Sequence, residues 1–281
     1  MKKKIFYIII IFFYSCEKVV DINTNYSDER IVLDASIFKN INEDFATAKV
    51  IVSKTAPYFS DNNTEIEEAE VYIKTKNGNI NLKYNSEKKY YTNTIDYINY
   101  EEVYEFFVIY DEQNYYSSEK LIKISGIESV IFGDRKSLNK DEVELLITFT
   151  DPKEIGDFNL WKFGPKGKGD SYDYLVSRDL YTNGNQFTFS FFIDKTEYFN
   201  NDEFVYVEMT GLTEEGFNYL NILTAQAGAQ NGRPFSSASS IIKGNIINQS
   251  NPEKFPLGYY RVSEFDYFRL SKEDAPDGFF D

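Results

Sequence analysis

Cys16 is the residue whose chemistry can be read directly from its neighbours. Lys2-Lys3-Lys4 opens the chain, residues 5–14 are an unbroken apolar and aromatic run, and Ser15 comes next. A positive start, an apolar middle and a small residue before a lone cysteine form a lipoprotein leader. On that reading residues 1–15 are removed and Cys16 carries lipid. A retained anchor would need about 20 apolar residues, and Glu17-Lys18 ends the run too soon. Ordinary secretory cleavage prefers an A-x-A-like end, which Phe13-Tyr14-Ser15 is not.

The remaining chemical inventory is narrow. Histidine is absent and Cys16 is the only cysteine. That excludes Ser-His-Asp and Cys-His nucleophilic sites and nearly every zinc, haem or copper site. An acylated Cys16 leaves no thiolate either. Paired carboxylates could hydrolyse glycosides, but among 45 Asp and Glu no spacing singles out a pair. Glu67-Glu68, Asp111-Glu112, Asp141-Glu142 and Glu214-Glu215 read as turn or solvated-face charges. The run from Gly164 through Ser171 resembles a phosphate loop, but Asp170 stands where the lysine is required, so it reads as a basic surface hairpin. The oxygen-rich stretch Asp61-Asn62-Asn63-Thr64-Glu65 lacks the central glycine of a calcium loop, and Tyr72 replaces the bidentate Glu. No catalytic residue, metal ligand or cofactor is predicted. The binding candidates are Arg233 and Phe235, in the non-periodic stretch from Asn231 to Ser240, with Tyr259 and Tyr260 nearby. An arginine there could grip a carboxylate or phosphate, and tyrosines offer an apolar face with a polar tip.

The elements that must position these groups are strands. The apolar residues include 25 Phe and 23 Tyr against one Trp and two Met, and aromatic and β-branched residues suit a pleated surface. Short β-rich runs fall at 31–37, 48–53, 69–75, 80–84, 90–95, 103–110 and 115–124, with Asn77-Gly78 as a tight hairpin turn. Further runs follow at 142–150, 159–163, 186–193, 204–210 and 257–270. Thr213 reads as an N-cap with Glu214 and Glu215 in the first turn, and Phe217, Leu220, Leu223 and Thr224 keep helical spacing. The expected fold is mainly β. A tether at 16–29 leads into an immunoglobulin-like β-sandwich over 30–125. A second β-rich domain over 126–281 carries one clear helix near 214–228. The acidic end after Ser271 is expected to fray.

Net charge is −15, and loss of Lys2, Lys3 and Lys4 with the leader lowers it by three to −18. Such a body repels phosphate backbones, which excludes nucleic acid as a partner. It also repels an anionic bilayer face, leaving the lipid on Cys16 to hold the protein at the membrane.

Several short motifs share a family likeness. They are Cys16-Glu17-Lys18-Val19-Val20-Asp21-Ile22, Arg30-Ile31-Val32-Leu33-Asp34-Ala35, Tyr104-Glu105-Phe106-Phe107-Val108, Asn114-Tyr115-Tyr116-Ser117-Ser118 and Phe149-Thr150-Asp151-Pro152. The most specific block is Gly232-Arg233-Pro234-Phe235, then Ile242-Lys243-Gly244-Asn245-Ile246-Ile247-Asn248, then Leu257-Gly258-Tyr259-Tyr260. Together they resemble a Bacteroidota lipoprotein family, the domain of unknown function 4249. The resemblance implies an outer-membrane lipoprotein, often encoded beside TonB-dependent transporters of the SusC-like kind, and it supplies no catalytic residue. Glu17 fits the acidic surface-export signals of such lipoproteins. The expected function is that of a surface-exposed accessory protein, binding a ligand or partner without catalysis. A structural scaffold or a carboxylate-dependent glycan hydrolase are the alternatives.

Overall fold

The computed structural model describes residues 29–56, 64–153, 156–166, 171–178, 184–199, 203–229 and 241–280. Up to residue 125 the strands are β1 (Ile31–Asn40), β2 (Ala46–Lys54), β3 (Glu70–Thr75), β4 (Gly78–Asn81), β5 (Lys83–Asn85), β6 (Tyr90–Ile95), β7 (Val103–Tyr110) and β8 (Gln113–Lys120). Then come β9 (Ser129–Phe132), β10 (Glu142–Thr150), β11 (Phe158–Lys166), β12 (Ser171–Arg178), β13 (Gln186–Asp194), β14 (Phe204–Leu212), β15 (Ile247–Asn248) and β16 (Leu257–Ser271). Helix α1 (Lys195–Tyr198) is a single turn and α2 (Glu214–Ala229) is the long helix. The chain is therefore mainly β with one substantial helix, as the sequence pattern predicts.

Alternation sets the faces. In β3, Val71 and Ile73 are buried while Glu70 and Lys74 face water, the period-2 rule of a half-buried strand. The β3–β4 hairpin turns over Lys76-Asn77, one residue earlier than the Asn77-Gly78 expected. Gly78 instead opens the returning strand at φ 122°, which only glycine adopts without strain.

One eight-stranded sheet, ordered β12-β11-β14-β16-β1-β2-β6-β5, draws strands from both sides of residue 125. Two smaller sheets lie side by side on its inner face. The five-stranded β15-β8-β7-β3-β4 sheet covers the first half, around Ile37, Val50, Ile73, Phe106 and Val108. The three-stranded β13-β10-β9 sheet covers the second, around Leu145, Ile147, Trp161, Phe163 and Val207. Both halves are thus sandwiches sharing one large layer, a stable way for sheets to bury an apolar face.

Strand β16 is the common spine. Its first part pairs in parallel with β1, from Val32 opposite Leu257 to Asn40 opposite Phe265. Its last part pairs antiparallel with β14, from Thr210 opposite Phe265 to Phe204 opposite Ser271. The crossing segment after β8 is stitched to it. Ile122 N donates to Val262 O at 3.0 Å and Glu264 N to Ile122 O at 2.8 Å. The Glu264 carboxylate accepts from Tyr100 Oη at 2.6 Å and Ile124 N at 3.2 Å, and Asp266 accepts from Ile127 N at 2.8 Å. Lys39 Nζ, 3.3 Å from Glu264, neutralises that buried charge, without which it would be strongly destabilising.

The end of the chain departs from the expected fraying. Ser271 caps a short 3-10 turn, and the rings of Phe279 and Phe280 pack 5.5 and 6.0 Å from that of Phe132. Two phenylalanines tie this acidic segment down, because packing their rings against the second core removes apolar surface from water.

Candidate functional site: an apolar groove on the outer face of the large sheet

Helix α2 lies on the face opposite the two small sheets. Thr213 Oγ1 accepts from Gly216 N at 3.0 Å, which caps the helix, and Glu214 and Glu215 complement its positive end. Phe217 anchors it against Leu160 and Leu212, with the Phe158 ring 5.2 Å away. One flank of the helix leaves a gap over β1 and β16.

That gap is a groove of about 690 Å³. The strands supply Val32 and Leu257, the helix supplies Leu220 and Leu223, and the chain returning to β16 supplies Ile241 and Ile242. The Tyr219 and Tyr259 rings lie 5.0 Å apart. Tyr174, Asp34, Arg261, Thr224 and Gln226 are its other polar members. Register separates the two characters. Val32 pairs with Leu257, Asp34 with Tyr259, and Ser36 with Arg261, so the lining turns from aliphatic to charged along β16.

Burial pushes the Tyr259 phenol up to about 12, and it also raises those of Tyr219 and Tyr174. All three remain protonated hydroxyls at neutral pH. Tyr259 Oη lies 3.2 Å from Thr213 Oγ1. The Arg261 guanidinium stands 5.5 Å from the centre of the Phe38 ring, and its Nη2 is 3.6 Å from Asp34 Oδ1. Its Nε is buried with no hydrogen-bond partner. Apolar walls with a few convergent polar groups are what small-molecule sites are made of.

Of the residues singled out in the sequence, Tyr259 lines this groove. Tyr260, its neighbour, points to the other side of the sheet. It is 0% exposed, stacks at 5.0 Å on Phe106, and donates through Oη to Tyr104 O at 3.2 Å. Adjacent strand residues face opposite ways, so the two tyrosines divide between groove and core. Cys16, Arg233 and Phe235 lie outside the described residues, as does most of the oxygen-rich stretch from Asp61. Sequence reasoning missed Arg261, Tyr219, Asp34 and Tyr174. The i, i+2 spacing of Tyr259 and Arg261 was the available signal, since both must share a face.

The block around Gly244 and Gly258 is architectural. A Cβ on Gly244 would meet Gly258 O at 1.7 Å, and one on Gly258, at φ 105°, would meet Leu33 O at 2.0 Å. Asn245 Nδ2 donates to Glu119 Oε1 at 2.8 Å and Tyr260 O at 2.9 Å, while its Oδ1 accepts from Tyr260 N at 2.8 Å. Asn248 Oδ1 accepts from Ser250 N and Asn251 N, at 3.0 and 2.9 Å. These residues hold the returning chain against β16 and β8, and so hold the groove's edge.

A second cleft, of about 760 Å³, is lined by Glu29, Glu65, Glu67, Glu68, Lys54 and Tyr110. Lys54 stands 3.0 Å from Glu29, Lys89 3.2 Å from Glu65, and Tyr84 Oη donates to Glu67 at 3.3 Å. Among the described residues no group of three or more His, Cys, Asp or Glu is placed to hold a metal ion, and no helix is long and apolar enough to cross a membrane.

The fold and groove define a mainly β protein of two sandwiches on one shared sheet. Residues 17–266 match the family described as Domain of unknown function (DUF4249). The chain belongs to that family. No curated protein matches it.

Proposed function

We propose that this protein is a lipid-anchored, surface-exposed accessory protein of a bacterial outer membrane. It captures a small ligand in the groove beside α2, without catalysis, for a TonB-dependent transporter or another envelope complex. The observation that carries the reading is the groove itself: about 690 Å³, mostly aliphatic, with tyrosines and one charged pair. The leader ending at Cys16 supports the anchoring, and the family likeness supports the transporter setting. Binding is favoured over turnover by where the one carboxyl pushed upward among the described residues sits. Glu119, raised by burial, lies beneath Asn245 and beside a crevice of about 10 Å³, too small for a substrate.

The test is a crosslinked pull-down of the tagged protein from native outer membranes, read by mass spectrometry. A stoichiometric TonB-dependent transporter is the expected companion. Recovery of the lipoprotein alone, or with unrelated envelope machinery, would overturn the transporter assignment.

One observation favours a second reading, a scaffold holding another envelope protein. Among the described residues β13 is a nine-residue sheet edge with no charge from Gln186 to Ile193. The other edges are either four residues or fewer or, like β12, carry charges. Long uncharged edges invite an added strand. A photocrosslinker at Gln186 that captures the partner, where one at Tyr219 does not, would move the function to that edge.

A further inference from the structure

We infer that the groove takes a free single-chain amphiphile with an anionic head, a long-chain carboxylic acid, its chain along Leu257, Leu220 and Leu223 and its carboxylate on Arg261. The inference rests on reading the groove as a ligand site.

Arg261 is the carrying observation. Its side chain is only 16% exposed, yet its closest carboxylate oxygen, on Asp34, is 3.6 Å away, outside the usual ~2.7–3.2 Å of an N–H···O bond. Nε is buried with no partner. Buried donors are almost always satisfied, and one left open calls for an explanation. A guanidinium fork prefers a carboxylate or phosphate, taken through two parallel bonds. Asp34 supplies only a loose version of this, because its own side chain is 58% exposed and remains largely in water. An incoming carboxylate takes its place and the half-exposed Asp34 turns to solvent.

The rest of the lining selects the body of the ligand. From Leu257 to Arg261 is four strand residues, roughly 13 Å at about 3.3 Å each, and on the sheet floor the aliphatic pair Val32 and Leu257 lies at the end away from Arg261. The chain therefore lies away from the guanidinium. The groove's about 690 Å³ falls within the roughly 300–1,000 Å³ of small-molecule sites, which suits one free molecule. A net charge of −15 disfavours taking the head from an anionic bilayer in place. The protonated hydroxyls of Tyr174, Tyr219 and Tyr259 donate to an acceptor without repelling it.

The experiment is a fluorescence titration of the purified protein with cis-parinaric acid, followed by competition with oleate, oleyl alcohol and oleylamine. Oleate is expected to compete about tenfold better than the alcohol. Arg261→Gln should erase that advantage. Asp34→Asn, by removing the rival carboxylate, should strengthen oleate several-fold. Near-UV circular dichroism checks that each variant keeps its packing. Equal competition by acid and alcohol, unmoved by Arg261→Gln, would overturn the anionic head and leave the groove as a ligand site. Preference for the amine, lost in Asp34→Asn, would overturn it in favour of a cationic head. Uptake unaffected by Leu223→Glu would place the probe elsewhere and overturn the inference. No uptake at all would bring down the capture reading with it.

Discussion

Asn245 shows a signature residue acting through structure. Its amide joins Glu119, on β8, to the backbone of Tyr260, on β16. Burial raises the Glu119 carboxyl above its ordinary value, and the Asn245 bond partly offsets this. A raised acid favours the fold while protonated and loses that contribution as pH climbs through its folded value. Asn245→Ala removes the offset, which acts on the ionised form. The variant should therefore fall further below the parent at pH 7 than at pH 4, by about 1 kcal/mol in urea unfolding. An equal gap at both pH values would show that Asn245 acts only on the backbone. Tyr260 belongs to the same layer. Tyr260→Phe keeps the stack on Phe106 and loses one hydroxyl bond, so it should cost about 1 kcal/mol. Tyr260→Ala opens a cavity and should cost about 3–5 kcal/mol. Neither change should separate acid from alcohol in the groove, because the ring faces the core. The sequence shows two adjacent tyrosines with equal claims. Which one meets a ligand depends on which face of β16 is covered, and only the sheet's partners decide that.

At the scale of elements, close approach of backbones sets the groove's geometry. Gly244 stacks on Gly258, which stacks on Leu33, with no room for a methyl group at either glycine. Gly258→Ala combines a forbidden φ with a clash against main chain, and should cost about 3 kcal/mol or more. Gly78 is the control. Its φ is similar at 122°, but nothing lies within 4 Å of a Cβ there, so Gly78→Ala should cost only the strain, about 1 kcal/mol. Matching losses in thermal unfolding would mean that backbone strain alone explains both sites. The strictly alternating strands, such as β3, and the capped helix α2 were legible in the sequence because their signals are local. Strand β12 was not expected. Its exposures run without clear alternation through Tyr172-Asp173-Tyr174-Leu175-Val176, since it is an edge strand half-covered on both faces, Leu175 against the core of the second half and Val176 against the cluster beneath α2. The parallel pairing of β1 with β16 was equally hidden. A period-2 pattern tells which side a residue faces but not which strand, some 225 residues away, will lie beside it.

At the scale of the whole molecule, β16 makes the two sandwiches dependent on each other. Losing it would strip β1 of its parallel neighbour and β14 of its antiparallel one, exposing backbone and apolar surface in both halves at once. The Glu264 and Asp266 bonds to the crossing segment add to the same coupling. Units that share a central strand should unfold together. The chain carries its own probe for this, because its one tryptophan, Trp161, sits in the core of the second half and is 1% exposed. Its fluorescence reports that half, whereas far-ultraviolet circular dichroism reports the strands of both. Urea unfolding followed by the two signals should give one midpoint and one slope, because neither sandwich can open without uncovering a face of β16. Separated midpoints would mean that the shared strand holds each half without linking them. A ligand seated over β1 and β16 would then stabilise one transition only, whereas in a single cooperative unit its binding should raise the common midpoint at both probes.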